Sequence, residues 1–576
     1  MNKKRIILLI LSIFLIVGAV AVGTVTVTSA RERIIYEKEN EVIEEAQTEI
    51  PEIVPAEAEG EMTGEAATSE EEEDTSNSYN YLELGTMIIA SIVLIGTLIA
   101  LIVTKAGKLS IGESLNTNKR LIYTSIVVVM LCSIVPVLNV VATDKLVLNS
   151  YATKGKDEKS LAIIEILENK KDANIKENST EENTSVIQVS KGSSYELKNS
   201  EISKKSGTTT DEESSTNYGL NSAFIVKDGS TVTLNKLNIN TTAKIAQGFF
   251  ATGLNTNGEL SEITIKTKQD KSNALVVANS SNVNVENSNI NTKGKESHGI
   301  KVINSESNLS ISNSTINTEN ENSSIFYSSG NITATNINGN SKKAPIGLIE
   351  ELGNVEIIES ELTTNANGLD NDPSKSTAFF LYNKEANIGS NSYETSKLSL
   401  KDSKVTINKD SSFYKVAPLF LVTNTNANIN VTNTTFNYGS DTLIKVTSLA
   451  KYGESGNNGA NLTFTATDED LEGNIEVDEL SQIRINLNNT SYKGQINKDN
   501  KSSNVNIIFD YNSNWELTGN SYVNTISVTK KDLNNVRKYI KSHGYNVYYN
   551  PANNDWLHGR TYYLYGGGKL IPLKAS

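Results

Sequence analysis

A short phrase returns along this chain at a nearly fixed interval, and that recurrence limits the fold more than any other feature. In Asn282 to Thr292 it reads N-V-N-V-E-N-S-N-I-N-T. Val283 and Val285 alternate with Asn282, Asn284 and Glu286, the period-two signature of a half-buried strand. Asn287-Ser288 then favours a turn, because both short side chains bond back to the backbone. Ile290 restores an apolar position, and Asn291-Thr292 close the unit. Copies begin at Leu234, Ile311, Ile332, Ile357, Leu400 and Val431. Their apolar anchors are Ile239, Ile265, Ile290, Ile316, Ile337, Leu362, Val405 and Phe436, spaced 26, 25, 26, 21, 25, 43 and 31 residues apart.

A period of roughly 20–50 residues marks a solenoid, a propeller or an array. Each copy is preceded by a second apolar run, such as Ala223 to Val226, Ala274 to Val277, Gly299 to Val302, Ser324 to Tyr327 or Ala378 to Leu381. Two or three short strands in ~25 residues leave no room for a βαβ unit, and a propeller blade needs ~40–45. The pattern therefore predicts a parallel β-helix, in which stacked coils share one continuous core. It occupies residues 186–520 as roughly 13 coils, a rod of about 60 Å at ~4.8 Å per coil. Insertions at 365–376, 384–397 and 447–460 are expected as loops, often on a binding face. The anchors are expected to be buried vertical neighbours.

The flanks differ in composition. Residues 1–30 place Lys3, Lys4 and Arg5 before apolar Ile6 to Val27, which fits a transmembrane helix or a signal peptide cleaved after Ala30. Residues 31–81 are Glu-rich and read as a disordered acidic loop. Residues 82–143 read as a transmembrane hairpin, Leu82 to Val103 and Leu121 to Ala142, around a basic loop 104–120. Lys and Arg mark the cytoplasmic side. The expected topology is thus a multi-pass cytoplasmic-membrane protein, partnered by the bilayer, with 144–576 outside. Residues 144–185 read as a stalk or cap, with a short helix over Leu161 to Leu167, and 521–576 as an aromatic-rich C-terminal cap with a helical run from Asp532 to Lys541.

The net charge of −14 belongs to one segment. Residues 31–81 hold 17 of the 67 acidic groups and three of the 53 basic ones, leaving 50 of each elsewhere. A balanced remainder argues against nucleic acid as a partner. The single cysteine, Cys132, excludes an internal disulfide and sits in an apolar stretch as a small hydrophobe.

The rung phrases resemble those of right-handed parallel β-helix proteins of the pectin-lyase-like superfamily. The C-terminal third resembles, more narrowly, adhesin-like cell-surface proteins of Gram-positive anaerobes. The residues that carry this are Gly494 to Asn497, Trp515 to Tyr522 (W-E-L-T-G-N-S-Y), Gly544 to Tyr549 and Gly566 to Leu570. His543 stands where such proteins have Asn. The resemblance covers about 80 residues with specific motifs and 186–490 only generically, and it implies fold and cell-surface placement more than activity.

Enzymes of that superfamily act on acidic polysaccharides, with a calcium-binding carboxylate cluster and a basic residue or with paired carboxylates. Within 186–520 the only arginine is Arg484, and the close Asp pairs are Asp370/Asp372 and Asp468/Asp470. Both pairs read as turn formers away from alternating strands. Ser297-His298-Gly299-Ile300 resembles the His-Gly-Ile step of polygalacturonase-like hydrolases. The accompanying N-T-D, D-D and R-x-K phrases are missing, so His298 reads as a solvated corner. His543 and His558 have no cysteine or acidic cluster to complete a zinc site. No catalytic, cofactor-binding or metal-ligating residue is therefore assigned, and no cofactor is expected. Outward Asn, Ser and Thr read as ladders along the stack and, secondarily, as a glycan-contacting face. Trp515, Trp556 and the C-terminal tyrosines read as end closure and, secondarily, as sugar platforms. The expected function is non-catalytic adhesion or contact with envelope glycans and cell-surface proteins. A polysaccharide lyase or hydrolase, and an envelope-assembly or transport component using the membrane hairpin, are the alternatives.

Overall fold

A computed structural model of the chain describes residues 161–384, 395–528 and 533–574, all within one compact unit, Leu148–Ser576. These residues form an all-β stack of parallel strands. A first sheet of 12 strands runs from Leu161–Ile166 to Asn474–Val477. A second sheet has 20 strands, because most rungs contribute two runs to it. Two four-stranded sheets take over toward the C-terminus.

The two runs per rung follow from one backbone position. Between Asn282–Glu286 and Asn289–Thr292, Asn287 adopts φ 51°. The same left-handed turn recurs at Asn174, Asn199, Asn313, Asn336, Asn433 and Asn489, and at Lys236, Glu262, Glu359, Asp402 and Asp468. Asparagine predominates because its short polar side chain tolerates this region best among non-glycine residues.

The residue after each turn points inward and is most often a hydroxyl. Its oxygen accepts the backbone N–H of the matching residue in the previous rung: Ser288 Oγ from Ile263 N (3.1 Å), Ser314 Oγ from Ser288 N (3.0 Å) and Ser403 Oγ from Ser360 N (3.0 Å). The turn leaves a buried N–H outside the sheet ladder, and the hydroxyl column satisfies it.

Alternation does the rest. Ile239, Ile265, Ile290 and Ile316 are consecutive register partners, each no more than 1% exposed. The column then departs from the expected anchors. Ile316 pairs with Gly339, Gly339 with Leu362, Leu362 with Val405 and Val405 with Phe436. Ile337 instead pairs with Ser314 in the hydroxyl column. The space in front of Gly339 is filled by neighbours: a Cβ there would lie 2.7 Å from Leu362 Cδ2 and 2.8 Å from Ile325 Cδ1.

Coils begin before residue 186. Leu161–Ile166, read as a helix, is a strand paired with Thr184–Val189. Five of its six residues are apolar, which suits a sheet as well as a helix face, and the neighbouring rung decides. At the other end Trp515 pairs with Ile540 and Tyr522 with Tyr548, so coils continue past 520. The helical run near 532–541 is present as Leu533–Tyr539.

The expectation of α-helical transmembrane segments is corrected. Among the described residues no helix is long and apolar enough to cross a membrane. The two α-helices among the described residues, Glu212–Tyr218 and Leu533–Tyr539, have seven residues each, against about 20 needed for a span. The fold class is all-β stacked parallel strands, and the multi-pass cytoplasmic-membrane location falls with the helices. The stretches 1–30, 31–81 and 82–143 lie outside the described residues, and none of this bears on membrane-crossing barrels.

Candidate functional site

The outer face of the second sheet is a continuous polar surface that the register builds. Thr233, Glu259, Asn284, Ser310 and Thr333 form one outward column across five rungs. Ser261, Glu286, Ser312 and Thr335 form the next. Together they line a shallow groove of about 350 Å³. Farther along, Asn426, Asn428, Asn461, Thr463, Gln482, Arg484 and Asn506 line a second of about 390 Å³.

Side-chain amides link rung to rung in these columns. Asn461 Nδ2 donates to Asn426 Oδ1 (2.8 Å), Gln482 Nε2 to Asn461 Oδ1 (2.6 Å), and Asn504 Nδ2 to Gln482 Oε1. In the lower rungs Asn308 bonds Asn282 at 2.9 Å, and Asn284 bonds Glu259 at 2.7 Å. An amide has two N–H donors and two carbonyl lone pairs. At Asn461 and Gln482 the ladder takes one bond each way, half of that capacity. Arg484 lies exposed in the second groove, its Nε donating to Asn486 Oδ1 at 3.4 Å.

The structure puts His298 in a buried corner rather than a solvated one, 8% exposed. It continues a ladder: Gln247 Oε1 accepts from Asn273 N (2.8 Å), Asn273 Oδ1 from His298 N (2.8 Å), and His298 Nδ1 from Ser324 N (3.2 Å). Burial, reinforced by the nearby Lys301 charge, holds its pKa down to about 3, so the imidazole is neutral. That keeps Nδ1 an acceptor. Asp370 accepts from Asn322 Nδ2 and from Lys375 Nζ, each at 3.0 Å, and Asp372 caps Ser374 N at 2.9 Å. Asp468 occupies a left-handed turn and accepts from Asn489 at 2.6 Å, whereas Asp470 opens a strand instead of lying in a loop. His543 meets Glu516 at 3.2 Å, and His558 holds an exposed left-handed position. Among the described residues no group of three or more His, Cys, Asp or Glu could hold a metal.

The C-terminal aromatics divide in two. Trp515 is fully buried, donating Nε1 to Gly494 O at 2.9 Å and stacking with Tyr492 and Phe509 inside the coil. Trp556 packs half-buried against the core. Tyr522 and Tyr548 stack at 4.7 Å on the outside, and Tyr545, Tyr563 and Tyr565 are exposed.

Two features escape the sequence reading. The insertions at 365–376 and 447–460 pack on the first sheet, where Leu369 and Tyr452 join outward Leu348, Phe380, Tyr382 and Leu421. Tyr327 and Tyr382 both donate to Glu350 Oε2, and burial first, then that carboxylate, raises both phenol pKa values. Apolar residues at both parities of the first-sheet strands are the sequence signal of such a cover. The second feature is Glu469, a buried carboxyl in the hydroxyl column.

No protein-family model, no curated protein and no solved structure matches the chain. The likeness of its rung phrases to pectin-lyase-like proteins therefore reaches as far as stacked parallel coils.

Proposed function

We propose that this chain is a non-catalytic β-helix that contacts glycans through the outer face of its second sheet, serving adhesion or envelope contact. The observation that carries this is the amide ladder Asn426–Asn461–Gln482–Asn504, which lies within or beside an open groove. Vicinal sugar hydroxyls both donate and accept, and the amides of Asn461 and Gln482, each with one ladder bond in either direction, match them along the stack. The candidate acids and bases support the same reading. His298, Asp370, Asp372 and Asp468 each serve a ladder, a cap or a turn. The charge balance outside 31–81 favours neutral sugars over nucleic acid.

The test is a glycan array probed with the full-length protein, alongside Gln482→Ala. Binding to a subset of glycans, weakened in the variant, is the expected result. Silence across the array, or undiminished binding by the variant, overturns the assignment to this face. Release of unsaturated or reducing sugars from pectin-type polymers would favour the lyase or hydrolase alternative.

A further inference from the structure

One junction in the stack breaks the outer run of the second sheet. On the outer run of the second sheet, Lys404–Ile407 pairs with Thr435–Asn437, and there that ladder ends. The equivalent run of the next rung, Asp470–Glu472, pairs only forward, with Ser491–Lys493, and opens a separate sheet. The other two faces of the same two rungs stay paired: Asn426–Thr432 with Asn461–Thr467, and Thr442–Val446 with Asn474–Val477, the latter through a register shift at Thr442/Ile444. The stack is therefore split on one face and continuous on two.

Glu469 stands at this split. It occupies the column that holds Ser360, Ser403 and Thr434 before it and Thr490 after it. It is 4% exposed, and its Oε1 accepts from Thr434 N at 2.8 Å. The longer side chain crosses a gap that serine could not. Tyr438 Oη donating to Glu472 O, Asn433 N donating to Thr467 O and Asn474 N donating to Asp441 O also link the two rungs around it.

We propose that Glu469 makes this junction a proton-dependent joint, closed when its carboxyl is protonated and loosened when the carboxyl ionises. The charges around it favour the protonated form. Asp468 and Asp470 flank it in the chain, and both act against its ionised form. The Thr434 rung, Val431 to Tyr438, contributes no charged residue, only Tyr438. On the Thr490 rung, Lys493 is engaged by Glu472 at 2.8 Å, and Tyr492 is buried. Two rungs back, Asp402 accepts from Asn433, and Lys404 faces Glu361. Among the described residues no salt bridge reaches Glu469. Burial, with the two aspartates adding to it, raises its pKa to about 7. Above that pH a buried carboxylate without a cation favours opening toward water.

The experiment is amide hydrogen exchange on the full-length protein at about pH 5 and about pH 8, corrected for the intrinsic pH dependence of exchange, with Glu469→Gln as the uncharged comparison. In the wild type, peptides covering 431–438 and 468–473 should exchange roughly tenfold or more faster at the higher pH, while peptides at 282–292 do not change. Glu469→Gln should abolish the difference. Should that variant fail to fold, Glu469→Thr restores the residue class of the adjacent rungs and serves the same purpose. A wild type with equal corrected exchange at both pH values, or a variant that retains the response, overturns the proposal.

Discussion

Ile290→Ala tests the central claim that equal register means vertical contact. Ile290 is fully buried, with Ile265 on one side and Ile316 on the other as its register partners. The substitution removes three carbons. At ~0.8 kcal/mol each, lost transfer free energy alone comes to roughly 2.4 kcal/mol. The rungs are clamped by their neighbours' hydrogen bonds and cannot collapse fully, so a residual cavity raises the cost to about 2–5 kcal/mol. The comparison is Asn289→Ala, one residue away and exposed, whose Oδ1 accepts from Asn291 Nδ2 at 2.6 Å. A surface loss of that kind lies within about 0.5 kcal/mol. Because each rung touches only its neighbours, the damage should be local. Hydrogen exchange read peptide by peptide should show protection lost at 260–267, 282–292 and 308–318, with little change near Ile485 or Ile507. Equal loss in both variants, or uniform loss along the stack, would refute the register argument.

Gly339→Ala should destabilise by about 1–3 kcal/mol despite alanine's better strand propensity, because Leu362 and Ile325 already fill the space; an unchanged or raised urea midpoint would show that space to be free. His298 gives a pH dependence of definite sign. Its folded pKa, about 3, lies below the usual 6.5, so its stabilisation is complete above 6.5 and is lost as pH falls toward 3, where the unfolded chain takes up the proton first. His298→Asn keeps an acceptor for Ser324 N but has no proton to gain, so its melting temperature should fall less between pH 7 and pH 4; parallel curves would remove His298 as the cause. Asn461→Ala should weaken glycan binding by up to about tenfold with the melting temperature nearly unchanged, whereas His298→Asn should leave binding intact; the opposite pattern would move the contact surface to the first sheet.

Period-two alternation and the ~25-residue return made the parallel coils legible, since both act within one rung. The column of Ile239, Ile265, Ile290 and Ile316 follows from the same spacing. Phase was lost at the 21-residue step, where Ile337 looks like an anchor by type but Gly339 holds the place by register. Only the paired neighbour resolves a shift of two residues, because it leaves the side chain on the same face. The polar outer face was readable as composition, but not the cross-rung amide bonds, which depend on how the insertions restore register. His298 and Lys204 show a second limit. Polar residues usually belong in solvent, yet His298 joins a corner ladder, and Lys204 is fully buried with its ammonium held by Ser179 Oγ, Glu181 O and Thr184 O. Neither site is visible until the stack supplies its partners. Glu469 is the same case with a charge to dispose of.

The direction of the pairing has a consequence for biosynthesis. Each rung finds its partner 19 to 43 residues earlier in the chain, and the described strands run parallel from Leu161 onward. A ribosome releasing this chain from its N-terminus presents every new rung to a template that is already complete. Loop closure costs little at such separations, so the solenoid can assemble during translation at the pace of synthesis, without waiting for distant sequence. The exception comes last. Tyr562–Tyr563 runs antiparallel to Lys569–Pro572, the one antiparallel pair among the described strands. It covers the free edge of the final strand of its sheet, which pairs on its other side with Val547–Tyr549. A chain that stalls before Tyr562 would carry an open parallel edge, ready to template a neighbour on the same polysome; one extended through Pro572 has that edge covered.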